Sequence, residues 1–226
     1  MSSRTIRLLF VDEHLVIADK PSGLLVHRGW DNDDDVAMFR VRDAIGQHVF
    51  PVHRLDRGTS GALVFARDRE TAATLALAFE EGRVEKKYLA LVRGEPPGEG
   101  VIDYAIQKKE GGPRVAAVTQ FRRIARSPID RCSLVLAMPK TGRLHQIRRH
   151  LRHIDHPLVG DVKHGSGVVN RHYRATYELT RLALHAHQIS FAHPKTGEQV
   201  RVTADVPPDL ATPFRALGLS WSDAAS

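Results

Sequence analysis

The stretch most able to do chemistry is His53-Arg54-Leu55-Asp56-Arg57-Gly58-Thr59-Ser60-Gly61. It places one carboxylate, Asp56, between two arginines, in a turn joining the apolar runs Phe50 to Leu55 and Ala62 to Ala66. Both guanidiniums can hold anions while the acid between them stays ionised. Gly58 and Gly61 give the backbone freedom a tight loop needs. The bland alternative is an Asx-type turn with two solvated arginines, and short motifs often mean no more than that. A hydrolytic set could be assembled from Ser60, His53 and Asp56, but no nucleophile-elbow pattern surrounds Ser60.

A second stretch, Arg143 to His153, reads as an amphipathic helix opened by Thr141-Gly142. Leu144, Ile147, Leu151 and Ile154 form one face, and His145, Arg149, Arg152 and His153 gather on the other. No acid lies between Lys140 and Ile154, so the usual i,i+4 pairing is missing and a polyanion is the better partner. His145, His150, His153 and His156 tempt a metal reading. Their gaps of five and three, with no cysteine or acid to complete a shell, argue against one. Lys86-Lys87-Tyr88 sets cations beside a ring on which a base could stack.

The whole chain agrees with a polyanionic partner. Its 226 residues suit one domain, and 33 Lys+Arg against 26 Asp+Glu give a formal charge of +7. Nucleic acid is the first candidate, and an anionic membrane surface a distant second. No run reaches the roughly 18 apolar residues a spanning helix needs, and Met1 to Thr5 does not lead into a signal-peptide core. The lone Cys132 fits a reducing cytoplasm and reads as a small buried hydrophobe.

The elements that must carry these residues can be taken in order. Ile6 to Val11 and Leu15 to Asp19 read as strands, followed by a turn at Lys20-Pro21-Ser22-Gly23 and an extended run Leu24 to His27. Asp31 to Asp35 reads as a loop capping a helix from about Val36 to Gly46. Asp68 caps a helix with Ala72, Leu75, Ala76 and Phe79 at helical spacing, stopped by Gly82. Strands follow at Lys86 to Arg93, Val101 to Ile106, Ala116 to Ile124 and Cys132 to Met138, with Gln107 to Arg114 as a loop. Arg181 to Ala192 and Gln199 to Thr203 close the strand set, and Pro207 onward shows little pattern. Strands and helices mix without regular alternation, so the class is α+β.

Collected, these stretches resemble the RluA family of pseudouridine synthases over nearly the whole length. The residues that carry the resemblance are Asp19 to Gly23, His53 to Gly61, Gly142-Arg143-Leu144-His145-Gln146-Ile147-Arg148, His156 to Asp161 and Arg181 to Ala186, in family order. Leu25 to Trp30, Val41 to Phe50 and Gly160 to Gly165 are similar to a tRNA-modifying branch of that family, in which the Gln107 to Arg114 loop is longer.

The resemblance implies a pseudouridine synthase fold: one catalytic domain over residues 1–226, built on a central mixed, mainly antiparallel sheet flanked by helices, with no separate N-terminal RNA-binding domain. It implies isomerisation of uridine to pseudouridine in RNA, at a tRNA T-stem uridine (position 65), by a cytoplasmic monomer using neither cofactor nor metal. Asp56 would be the catalytic carboxylate, Arg143 the guanidinium beside it, and Tyr88 the ring stacked on uracil. Arg54 would fill the gap left by the flipped base, and Arg57, Lys87, Arg148, Arg149 and Arg152 would join it in binding RNA. Alternatives are a synthase acting on ribosomal RNA or on both RNAs, and, from another class, a non-catalytic RNA-binding module. DNA binding is weaker, since no recognition-helix or zinc-finger pattern appears.

Overall fold

The computed structural model describes residues 5–28, 34–107 and 111–222. In chain order the elements are β1 (Arg7–Val11), β2 (Leu15–Lys20), α1 (Ala37–Ile45), β3 (Phe50–Pro51), β4 (Ser60–Ala66) and α2 (Arg69–Glu80). Then come β5 (Glu85–Arg93), β6 (Glu99–Asp103), β7 (Ile106–Gln107), β8 (Arg114–Val115), β9 (Val118–Arg126) and β10 (Cys132–Pro139). The chain closes with α3 (Gln146–His153), α4 (Gly167–Tyr177), β11 (Leu184–Ala192), β12 (Gln199–Thr203) and α5 (Pro208–Ala216). Contacts divide it into two compact units, Met1–Glu85 with Ala186–Asp205, and Lys86–His185 with Val206–Ser226. The α+β class read from the sequence is the one observed.

In the first unit the strands run in the order β1-β2-β4-β11, with β12 on β11 and β3 on β4. The β1–β2, β2–β4, β3–β4 and β11–β12 ladders are antiparallel. Every residue of β4 is buried, as its unbroken apolar run requires of a strand covered on both faces. Leu15, Ile17, Val64, Leu75, Ile189 and Phe191 form the core between sheet and α2. Asp68 caps α2 as expected, accepting from the Thr71 N–H at 2.8 Å. The buried face differs by a step: Thr71, Leu75 and Ala78 point inward, and Ala76 is exposed.

The start of α1 departs from expectation. Its N-cap is Val36, with no side-chain cap and no acid in the first turn. The first N–H groups, of Ala37 and Met38, donate instead to the carbonyls of Leu25 and Val26 at 2.8 and 3.0 Å. The expected extended run Leu24 to His27 is thus reduced to a single bridge, Leu25 to Val36, because its carbonyls serve the helix. Of the acidic loop, Asp31 to Asp33 lie outside the described residues, and Asp35 binds Arg40 through both oxygens. Gly46 ends α1 in the left-handed conformation, as expected.

In the second unit β5, β10, β9 and β6 lie side by side, all antiparallel. Alternation along β5 and β10 separates two cores. Leu89, Leu91, Leu134 and Leu136 face Tyr173 of α4 and Leu210 and Phe214 of α5. Ala90, Val92, Val135 and Ala137 face Ile147 and Leu151 of α3, with Leu158 and Leu182. Helix α5 occupies the stretch read as patternless. Pro213 inside it removes a backbone hydrogen bond, and Leu210 and Phe214, both fully buried, supply the packing that holds the helix together.

Several boundaries differ in the second unit: β9 runs Val118–Arg126 rather than Ala116 to Ile124, and β11 starts at Leu184 rather than Arg181. The expected strand Val101 to Ile106 breaks at Tyr104, and the expected loop Gln107 to Arg114 is partly a hairpin of β7 with β8. Residues 108–110 of that loop lie outside the described set. Helix α3 begins at Gln146 rather than Thr141, because His145 takes a left-handed conformation (φ 54°) and stops it.

Candidate active-site loops and basic surface

The Asp56 loop runs between β3 and β4 and is anchored at both ends. Before it, His53 stacks on Phe79 (centroids 4.6 Å apart), and its Nε2 accepts from the Val64 N–H at 3.0 Å. That ring nitrogen is therefore committed to the backbone, and Ser60 is buried in β4; the hydrolytic alternative loses its base and its nucleophile. Leu55 is buried, Asp56 is half-buried, and Arg54 and Arg57 are exposed on either side. The Asp56 carbonyl accepts from the Thr59 N–H at 3.0 Å, closing a tight turn.

What holds this turn is the other early motif. Lys20 is 0% exposed, and its Nζ donates to the carbonyls of Leu24 (2.6 Å), Pro21 (2.9 Å) and Arg57 (3.2 Å). The Gly23 N–H donates to the Arg57 carbonyl at 2.8 Å, Ser22 Oγ to the Gly58 carbonyl at 2.8 Å, and Arg57 Nε to the Gly23 carbonyl at 2.9 Å. The stretches 20–24 and 56–58, more than thirty residues apart in sequence, thus form one cross-braced structure. Buried charge is tolerated only when so fully hydrogen-bonded. Sequence reasoning had given Lys20 no role; a lysine directly before Pro-Ser-Gly was the available signal.

Gly61 fixes the exit from the loop. Its φ is +110°, and a Cβ there would lie 2.2 Å from the Ala186 carbonyl oxygen. Only glycine lets β4 approach the chain that closely.

Tyr88 is half-buried on β5 opposite Ala137, packed against the core that includes Ile147. Strand alternation puts Lys86 on the Tyr88 side and Lys87 on the other. Lys87 lines an open groove with Glu99, Gln120, Arg122 and Met138. The stretch Lys86-Lys87-Tyr88 therefore divides between two faces of its sheet. Burial, aided by nearby Lys140, pushes the Lys86 ammonium down to about 8.

Arg143 is exposed on the turn before α3, not on the helix. Gln146 shapes that turn, its Oε1 accepting from the Arg143 N–H (2.9 Å) and the Thr141 hydroxyl (2.6 Å), and Arg143 Nε donates to the Ala116 carbonyl at 3.1 Å. The basic stretch sorts by burial. Arg148 is only 8% exposed and binds Asp161 through Nε and Nη2, both at 2.7 Å. Burial raises the Asp161 pKa, but the Arg148 hydrogen bonds and the His164 and Lys163 N–H groups outweigh it and hold the acid below its ordinary value. Arg148 is thus a strut between α3 and the loop after Gly160, its guanidinium turned to Asp161 and away from solvent.

Arg149 is half-buried and donates to the Gln107 carbonyl at 2.9 Å, and exposed Arg152 donates to the His164 carbonyl at 2.8 Å. The histidines that tempted a metal reading have other work. His150 is buried between Thr119 Oγ1 and the Tyr104 carbonyl, and burial lowers its pKa. His153 stacks on Tyr104 at 3.6 Å, and His156 Nδ1 lies 2.9 Å from the Arg93 carbonyl. Among the described residues no group of three or more His, Cys, Asp or Glu could hold a metal ion, and no helix is long and apolar enough to cross a membrane.

Residues 14–153 match the family model described as RNA pseudouridylate synthase. That segment contains the braced Asp56 loop, Tyr88 and the Arg143 turn.

The chain belongs to the RNA pseudouridylate synthase family.

Curated relatives extend the match to nearly full length. The chain is 40% identical to the tRNA pseudouridine synthase C of Vibrio parahaemolyticus, over 91% of this chain and 92% of that protein. It is 41% identical to the protein of that name from Pasteurella multocida, over 89% and 92%. Among solved structures, human RNA pseudouridylate synthase domain containing 4 superposes with a TM-score of 0.77 at 28% identity, covering 95% of this chain and 94% of that one. Human RNA pseudouridylate synthase domain containing 1 gives 0.77 at 26%, covering 94% and 89%. The family and fold inferred from the sequence motifs are those found. The protein is accordingly an isomerase that acts on RNA.

Proposed function

We propose that this synthase converts a T-stem uridine of tRNA, position 65, to pseudouridine, with Asp56 as its catalytic carboxylate. The observation that carries the tRNA reading is the near-full-length similarity to proteins named for tRNA pseudouridine synthesis. The reaction breaks the bond from ribose C1′ to uracil N1, turns the base and joins C1′ to C5, with the C5 proton lost and one proton taken up at N1. Atoms are conserved and nothing is oxidised, so the chemistry calls for an acid–base or nucleophilic carboxylate and no coenzyme.

Asp56 supplies that group. A guanidinium nearby favours the ionised form, and Arg143 takes that part by family resemblance. Tyr88 stacks on the uracil and assists proton transfer at C5. A base inside a stem is out of reach, so the nucleotide must be flipped out at a cost of a few kcal/mol. Arg54, exposed at the loop, fills the vacated stack. Arg57, Lys87, Arg149 and Arg152 offset the cost through phosphate contacts. Arg148 supports them from below through Asp161. The chain acts as a single cytoplasmic, monomeric catalytic domain.

Purified Asp56→Asn should bind tRNA and lose isomerisation entirely; parental turnover by that variant would remove the mechanism. Arg143→Ala should also lose turnover. Chemical mapping of pseudouridines in tRNA and ribosomal RNA, from cells with and without the gene, tests the target. Loss of a ribosomal RNA site instead of the T-stem site would reassign it.

A further inference from the structure

We propose that His145 and His164 form a positioning pair, sharing one ring proton to hold the turn that presents Arg143. The inference rests on Arg143 being needed for isomerisation. Its starting point is a strained residue. His145, the N-cap of α3, sits at φ 54° with no side-chain capping bond to the helix. Non-glycine residues are uncommon in that region, histidine less so than most, and glycine would enter without strain, so the contribution of the imidazole lies in what its ring contacts.

That contribution is a contact across the second unit. His145 Nδ1 lies 3.0 Å from His164 Nε2, with the rings edge-to-face at 5.2 Å and 73°. Two ring nitrogens at this distance form a hydrogen bond only if one carries the proton and the other a lone pair. His164 suits the arrangement by staying neutral. Burial, together with Arg148, His145 and Arg149, lowers its pKa to about 4 despite the opposing pull of Asp161.

The pair closes a loop of contacts that begins and ends on α3. Arg148 holds Asp161, and Asp161 Oδ1 accepts from the Lys163 and His164 N–H groups, each at 2.9 Å. Arg152 holds the His164 carbonyl. His164 is therefore a fixed post, and its ring reaches back to His145, two residues from Arg143. Gln146 secures the Arg143 N–H from within the turn, and the histidine pair secures the turn from outside. Neither histidine is assigned contact with substrate.

Single-turnover isomerisation of a tRNA transcript at saturating enzyme, with the tRNA Kd measured in parallel, tests the pair. His164→Ala should slow the rate about five- to tenfold, the worth of one net hydrogen bond, with Kd within about twofold of the parent. His164→Gln, which restores a donor and an acceptor at similar reach, should recover most of the loss. The double variant with His145→Ala should be no slower than the slower single variant, since both remove one interaction. His145→Gly relieves the backbone strain but lacks the ring, and should be slow. Parental rates for His145→Gly or His164→Ala, or a change in Kd alone, would overturn the proposal. Arg143→Ala separates the two readings. If it abolishes turnover while the histidine variants match the parent, only the pair is wrong. If it turns over normally, the role of Arg143 is wrong and the pair loses its purpose.

Discussion

Replacing Lys20 with methionine asks whether one buried ammonium holds the Asp56 loop in place. Methionine keeps most of the stem and removes the charged head, and with it the hydrogen bonds to the Pro21, Leu24 and Arg57 carbonyls. The Arg57 carbonyl keeps the Gly23 N–H at 2.8 Å, so the Pro21 and Leu24 carbonyls bear the loss. An acceptor deprived of its donor away from water costs about 1–3 kcal/mol, or roughly 2–6 for two. Methionine also escapes the penalty of burying a charge, several kcal/mol in its own right, which offsets much of that. A net loss of about 2 kcal/mol remains, or about 4–8 °C in Tm for a chain of this size. The Arg57 carbonyl adjoins Asp56, so the loop should also loosen and the single-turnover rate fall roughly 10- to 100-fold, the scale of an ångström-sized misplacement. Calorimetry gives the Tm, and a tRNA transcript assayed well below both midpoints gives the rate. A Lys20→Met protein that melts within about 1 °C of the parent and isomerises at its rate would refute the bracing argument.

Gly61→Ala should be far more damaging, since its Cβ would meet the Ala186 oxygen at 2.2 Å on a backbone with φ +110°. A Tm drop of about 6–12 °C or more, from about 3 kcal/mol or more, or loss of soluble protein is the expected readout. Asp161→Asn should cost about 3–5 kcal/mol at neutral pH by leaving the Arg148 guanidinium buried opposite a neutral amide. The folded pKa of Asp161 lies below its unfolded value, so this contribution is complete above about pH 4 and is lost as pH falls through the lower folded value. Urea melts from pH 7 to pH 2 should show the gap between the parent and Asp161→Asn narrowing only at the acid end. Arg152→Ala should weaken tRNA binding and reduce the slope of log K against log salt by about one. Equal slopes would remove Arg152 from the phosphate-binding set.

Much of this molecule was legible from residue order because its signals are local. The glycines and the charge pattern marked the Asp56 turn, Asp68 marked the start of α2, and short apolar runs marked β2, β5 and β10. The motifs sufficed for the family because each keeps its residues within a few positions of one another. Other features depend on partners distant in the chain. Lys20 finds the Arg57 carbonyl 37 residues away, Arg148 finds Asp161, and His145 finds His164, and no local pattern announces such pairs.

Helix α5 was hidden because Pro213 inside it argues against a helix, while the buried Leu210 and Phe214 that stabilise it count only once a sheet is there to receive them. The basic run of α3 looked uniform in one dimension. Folding sorted it into Arg148 as a buried strut, Arg149 as a half-buried donor and Arg152 as an exposed cation. Sequence states which charges exist and how closely they follow one another. Desolvation and hydrogen-bond geometry, which assign each charge its role, arise only when distant segments pack.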